Sequence, residues 1–206
     1  QLAEQIAASS TPPHVFICAS AMGFYGNRGS ELLDESSNGG KGFLADVCRE
    51  WESATQPARS AGIRTINLRT GIVLAKEGGA LNRMIKVFRR GGGAILGDGK
   101  QYMSWISLDD VVLAIEYIIQ MLSISGPVNL VSPHPVTNRE FTQTLSRLMK
   151  RPSFMKIPKT VLRLLVGEMA DEVLFYSEKA YPEKLIKAGY SFKHEHLEEA
   201  LRSNLV

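Results

Sequence analysis

The sequence predicts an α/β protein, a doubly wound parallel sheet followed by a small, mostly helical C-terminal domain. Three observations carry this. Residues 14–19 (HVFICA) are an almost wholly apolar run between prolines and small residues, which suits a strand covered on both faces. Strand-type runs then alternate with helix-type stripes up to residue 131, the rhythm of βαβ units. Beyond Ser132 the stripes are helical. The reading therefore divides the chain into residues 1–131 and 132–206.

Taken in order, residues 2–8 carry helical apolar spacing and stop at Ser-Ser-Thr-Pro-Pro. After the first strand comes a loop rich in glycine, serine and asparagine, residues 23–42. Phe43, Val47, Trp51 and Ala54 then fall on one helical stripe, closed by Gly62. Residues 63–74 hold one long β-type run, and residues 80–90 a helix. A triple-glycine loop precedes a short strand at 103–106, a helix at 108–122 and a strand at 128–131. Thr137 with Glu140 three residues on forms a capping box for a helix over Phe141, Leu145 and Leu148. Helices are expected at 159–175, 183–188 and 196–204.

A 206-residue chain that is 44% hydrophobic and 22% charged buries a real core and is neither disordered nor fibrous. No apolar run approaches the ~18 residues that a membrane span needs. The net charge of +3 is spread, apart from Arg83, Lys86, Arg89 and Arg90, so neither a nucleic-acid surface nor a membrane partner is expected. Cys18 and Cys48 form neither a disulfide framework nor metal spacing, and no metal site is assigned. A reduced, cytoplasmic setting is expected.

In open parallel sheets, ligands bind beyond the carboxyl ends of the strands. That rule selects three loops. In the first, residues 19–26 (ASAMGFYG), Ser20 offers a hydroxyl beside small residues; it either meets a ligand or satisfies local backbone groups. In the second, Arg69 sits inside a β-type run, where a cation needs a carboxylate or a ligand. In the third, residues 97–110, Asp109 or Asp110 caps the next helix, and Trp105 lines a pocket or packs in the core. The glycines of residues 91–99 are not a phosphate-binding P-loop, because Ala94 and Gln101 stand where Gly and Ser or Thr are required.

These loops, together with FLADVCREWE (43–52), LRTGIVL (68–74), GGAL from Gly78 and LGDGKQYMSWISLDD (96–110), resemble the extended short-chain dehydrogenase/reductases. The nucleotide-sugar epimerase-like subgroup is the nearest in pattern. Its C-terminal domain resembles VTNREFTQTL, Arg151-Pro152, GEMADEVL and AYPEKLIKAGYSF here. The resemblance implies an NAD(P)-binding Rossmann-type sheet with a substrate-side helical domain, and an oxidoreductase or isomerase acting on a small polar molecule such as a nucleotide sugar. It leaves NADP or NAD as the cofactor, with a lean to NADP. Ala19, Ala21, Arg69, Thr70, Gly71 and Ile72 would hold the nicotinamide end, Ser20 would match the catalytic Ser/Thr, and Tyr25 would be a spare phenol in the same loop. Trp105 and Arg83 would contact substrate, Arg83 through an anionic group unless it is only a solvated cation.

Two departures matter. The family opens on a strand and GxxGxxG turn whose amides hold the pyrophosphate, and nothing before His14 can be that unit. The Rossmann sheet is therefore expected to be incomplete, to bind dinucleotide weakly and to leave an unpaired edge that favours self-association. The usual Tyr-x-x-x-Lys acid/base pair is replaced by Leu44 and Cys48 if Glu52 is aligned with the later Glu of that helix. The alternative expectation is a non-catalytic NAD(P)H sensor or interaction protein.

Overall fold

The computed structural model describes residues 1–153, 155–167 and 171–205. Helix α1 (Leu2–Ala7) leads into β1 (Val15–Ala21), which ends in a 3-10 turn (Met22–Tyr25); β2 (Leu32–Leu33) lies in the loop beyond. Helices α2 (Phe43–Ser53) and α3 (Gln56–Ser60) return the chain to β3 (Arg64–Thr70). Next come β4 (Ile72–Leu74), α4 (Gly79–Arg89), β5 (Ala94–Leu96), β6 (Tyr102–Met103), β7 (Trp105–Ser107), α5 (Leu108–Gln120) and β8 (Gly126–Leu130). The C-terminal part holds β9 (Val136–Thr137), α6 (Asn138–Met149), β10 (Met155–Ile157) and α7 (Lys159–Val166). A π-helical turn (Asp171–Phe175), β11 (Lys179–Ala180), α8 (Glu183–Lys187) and α9 (Leu197–Leu205) complete it.

Strands β1, β3 and β8 form a parallel sheet in that order. The two apolar runs are thus neighbouring parallel strands, in a register that sets Ala21 beside Thr70 and Thr70 beside Leu130. All three strands therefore end at one level. Helix α5 covers the sheet: Ala114 and Ile118 pack with Ile66, Leu68, Val128 and Leu130. A second cluster joins Leu74, Leu81, Trp105, Phe141 and Leu201. Both clusters take residues from either side of position 131, because Leu185, Tyr190 and Phe192 close the first and Leu197, Ala200 and Leu201 the second. Short C-terminal strands also return to earlier ones, β9 antiparallel to β6, β10 parallel to β5, and β11 parallel to β2.

Four local expectations change. The run 63–74 is two strands, since the chain turns at Gly71 and β4 leaves to pair with β7. A Cβ on Gly71 would lie 2.6 Å from the Ser104 carbonyl oxygen, so only glycine lets these backbones meet. The stripe on α2 faces outward: Phe43 and Trp51 are exposed, whereas Ala45 and Cys48 are buried. The reason is close packing against the 3-10 turn, where Leu44 Cβ would be only 3.1 Å from a Cβ at Gly23. Helix α5 is capped by Ser107, whose Oγ accepts from the Asp110 amide at 3.0 Å, instead of by either aspartate. Finally, the helix expected over 159–175 is α7 and the separate π-helical turn; residues 168–170 of the GEMADEVL motif lie outside the described residues. The capping box of Thr137 and Glu140 is present as expected.

Candidate functional site

The level at which β1, β3 and β8 end is the floor of a cleft of about 330 Å³. Ala21, Met22 and Gly23 supply one side of it, Leu44 the start of α2, and Thr70, Gly71 and Ile72 the centre. Ala80 and Met84 of α4 form the opposite side. Tyr102 to Ser104 with Glu172, Tyr176 and Glu178 close the end contributed by the C-terminal part. A neighbouring cavity of about 380 Å³ shares Ala80, Met84, Leu96, Asn138, Val173 and Leu174 with the cleft and runs out to Arg83. Together they make one trough, small-residue floored and apolar walled. No charged partner reaches the exposed Arg83 among the described residues.

Most polar groups along the trough are already engaged. Ser104 Oγ donates to the Glu178 carbonyl at 2.6 Å and accepts from the Ala180 amide at 2.9 Å. Glu172 accepts from the amides of Phe43 and Leu44, at 3.1 and 2.8 Å, and so satisfies the open N-terminus of α2. Asn138 Oδ1 accepts from the Leu96 amide at 2.9 Å. Glu178 differs. Among the described residues no donor reaches its carboxyl, and burial pushes it up to about 7. It is therefore an acid that exchanges its proton near neutrality, the property required of a general acid/base. Nothing in the sequence distinguished it, because its place in the cleft comes from the pairing of β11 with β2.

Three of the expected site residues come together elsewhere. Ser20, Tyr25 and Arg69 form one buried network around Glu52. Arg69 Nε and Nη2 donate to the two Glu52 oxygens at 2.8 and 2.9 Å, and Nη1 donates to the Tyr25 hydroxyl at 2.9 Å. That hydroxyl lies 2.7 Å from Asn129 Oδ1 and 2.8 Å from the Asp34 carbonyl oxygen. Burial raises the phenol's pKa even against the pull of Arg69. Ser20 Oγ donates to Glu52 at 2.9 Å, and the Phe24 ring lies 3.4 Å from the guanidinium carbon. Successive strand residues face opposite sides, so Ala21 lines the cleft while Ser20 is turned onto Glu52.

Ser20 and Tyr25 are not among the residues that line the cleft, and the Arg69 side chain takes the carboxylate partner that its place in a β-type run calls for. Trp105 is fully buried with its indole N–H donating to the His134 carbonyl at 3.0 Å, and it packs in the core. Ala19 faces a separate hollow beside Phe16 and Trp51. Ala21, Thr70, Gly71 and Ile72 line the cleft, and Arg83 stands at its far end.

Comparison with known proteins accords with this architecture. Residues 157–203 match a family described as a domain of unknown function, DUF1731. An epimerase family protein of Mycobacterium bovis is 48% identical over 185 residues, covering 90% of this chain and 62% of that protein. The chain thus spans less than two thirds of that relative's length. The mouse epimerase family protein SDR39U1 is 32% identical over 204 residues, covering 98% of this chain and 69% of its own length. Among solved structures, human SDR39U1 with NADPH superposes with a TM-score of 0.91 at 28% identity, over 98% of this chain and 68% of that one. A nucleoside-diphosphate sugar epimerase from Corynebacterium glutamicum gives 0.82 at 35% identity, over 99% of this chain and 40% of that one. Fold and sequence agree, and the chain belongs to the epimerase family typified by SDR39U1, an extended short-chain dehydrogenase/reductase type.

Proposed function

We propose that the protein holds the nicotinamide end of NAD(P)H in the cleft beyond β1 and β3 and acts there on a small polar molecule, a nucleotide sugar by class. The observation that carries this reading is the trough itself, with a small-residue floor at the strand ends, one proton-exchanging carboxyl, and a cation at its outer end. The floor fits a flat ring, since Gly23 and Gly71 carry no side chain and Ala21 only a methyl group. When bound, the cofactor supplies hydride transfer. Glu178 exchanges the proton that accompanies it, in place of the absent tyrosine, and Arg83 draws in an anionic group of the substrate. The relative solved with NADPH supports NADP as the cofactor.

The test is cofactor oxidation or epimer formation across a panel of nucleotide sugars, on this chain and on a form extended to its relatives' length. Arg83→Ala is expected to raise KM about tenfold with little change in kcat, the pattern of a lost binding contact. A KM unchanged in that variant removes Arg83 from the substrate site. A second reading, an NAD(P)H sensor without turnover, is favoured by Leu44 and Cys48 where the family's acid/base pair would stand. Bound cofactor with no conversion of any nucleotide sugar selects it.

A further inference from the structure

Away from the trough, the loop after β8 and the segment entering α9 bring His134, Glu195 and His196 together. One ligating atom from each lies within 4.8 Å of the others, and all three side chains are exposed. The two imidazoles stack nearly parallel, 4.6 Å between centroids and 12° between planes. We propose that this trio binds a borderline divalent ion, zinc above all, as a clip between the sheet and the C-terminal helix. Two imidazoles and a carboxylate are a ligand set that suits zinc, and water completes the fourth position.

The backbone on both sides is fixed before any ion arrives. Ser132 Oγ donates to the Glu195 carbonyl at 2.8 Å and accepts from the His134 amide at 3.3 Å, so one hydroxyl ties both segments. Pro133 and Pro135 flank His134 and stiffen its loop. The Trp105 indole holds the His134 carbonyl, and Asp110 receives the amides of Lys193 and His194 at 2.7 and 3.0 Å. Only side-chain rotation remains. Zinc bonds of ~2.0–2.1 Å in a tetrahedron place ligand atoms about 3.3 Å apart, so the trio needs to contract by at most about 1.5 Å. His194 is not part of it, because its Nδ1 sits 3.1 Å from Ser107 Oγ. Magnesium and calcium prefer all-oxygen sets and are excluded by the two imidazoles.

The experiment is a Zn²⁺ titration of the tag-free chain against a chromogenic chelator. One Zn²⁺ per chain is expected, unaffected by excess Mg²⁺. His134→Ala and His196→Ala should each weaken binding about tenfold or more, and His14→Ala should leave it unchanged. The three side chains are exposed, so these variants are expected to keep the wild-type melting temperature without metal. Added Zn²⁺ should raise that temperature in wild type and His14→Ala, and not in His134→Ala or His196→Ala. Co²⁺ offers a second readout, since bound tetrahedrally it gives intense visible absorption that the His134 variant should lose. Zn²⁺ uptake that is absent at about 100 µM metal, or that survives in both histidine variants, overturns the proposal.

Discussion

At the scale of single residues, two carboxyls illustrate how surroundings decide chemistry. Glu52 is half-buried and paired with Arg69 in a two-pronged geometry, with Ser20 donating a further hydrogen bond to it, while the Tyr25 hydroxyl accepts from the remaining guanidinium nitrogen. Glu178 has no such partner, and burial alone raises its carboxyl from 4.5 to about 7. The sign of the consequence follows. Between those values the folded chain holds a proton that the unfolded chain has lost, so stability falls as pH rises through that window. Glu178→Gln keeps the shape and removes the charge. It is expected to leave the melting temperature unchanged at pH 4 and raise it by several degrees at pH 8, where about 3 kcal/mol is at stake at 1.36 kcal/mol per unit. Equal melting temperatures for wild type and variant at pH 8 would refute the assignment. The need of Arg69 for a carboxylate was legible in the sequence, because a cation in a β-type run demands one. Which way Ser20 points was not, because one residue of strand phase separates the cleft face from the opposite one, and only the observed register fixes that phase.

A capping box and a continuous apolar run were read well, whereas the orientation of the α2 stripe, the cap of α5 and the elements held by distant partners were not. The capping box at Thr137 and the apolar run of β1 are local signals. By contrast β2, β6, β9 and β11 are two residues each and exist only through pairing across the chain, which no local propensity announces. Helix α5 shows the same division. Its start is a short-range matter, Ser107 on the Asp110 amide. The carboxylate of Asp110, fully buried, then accepts from the amides of Lys193 and His194 and lies 3.2 Å from the Tyr190 hydroxyl. Asp110→Ala would leave these donors unsatisfied inside the molecule. Its cost is expected to be about 2–4 kcal/mol, read as a lowered urea midpoint. A loss no greater than that of Asp109→Ala, whose exposed carboxylate is paired with Lys193, would show that Asp110 does not anchor the tail.

For the whole molecule, β1 is an edge of its three-stranded sheet, and Trp51 and Phe43 are exposed on the adjoining helix. An apolar edge of seven residues is a template for pairing with another chain. Sedimentation of the chain at rising concentration is expected to show growing dimer or larger species, and a single monomer boundary throughout would refute this. The α/β class and the order of βαβ units were legible because each unit carries its own periodicity. The sharing of both cores across residue 131 was not, since it depends on contacts between the two ends of the chain. The return of β9, β10 and β11 to β6, β5 and β2 has a temporal consequence as well. On the ribosome the trough stays without its end wall until residues 172–180 have emerged and packed back against the earlier strands.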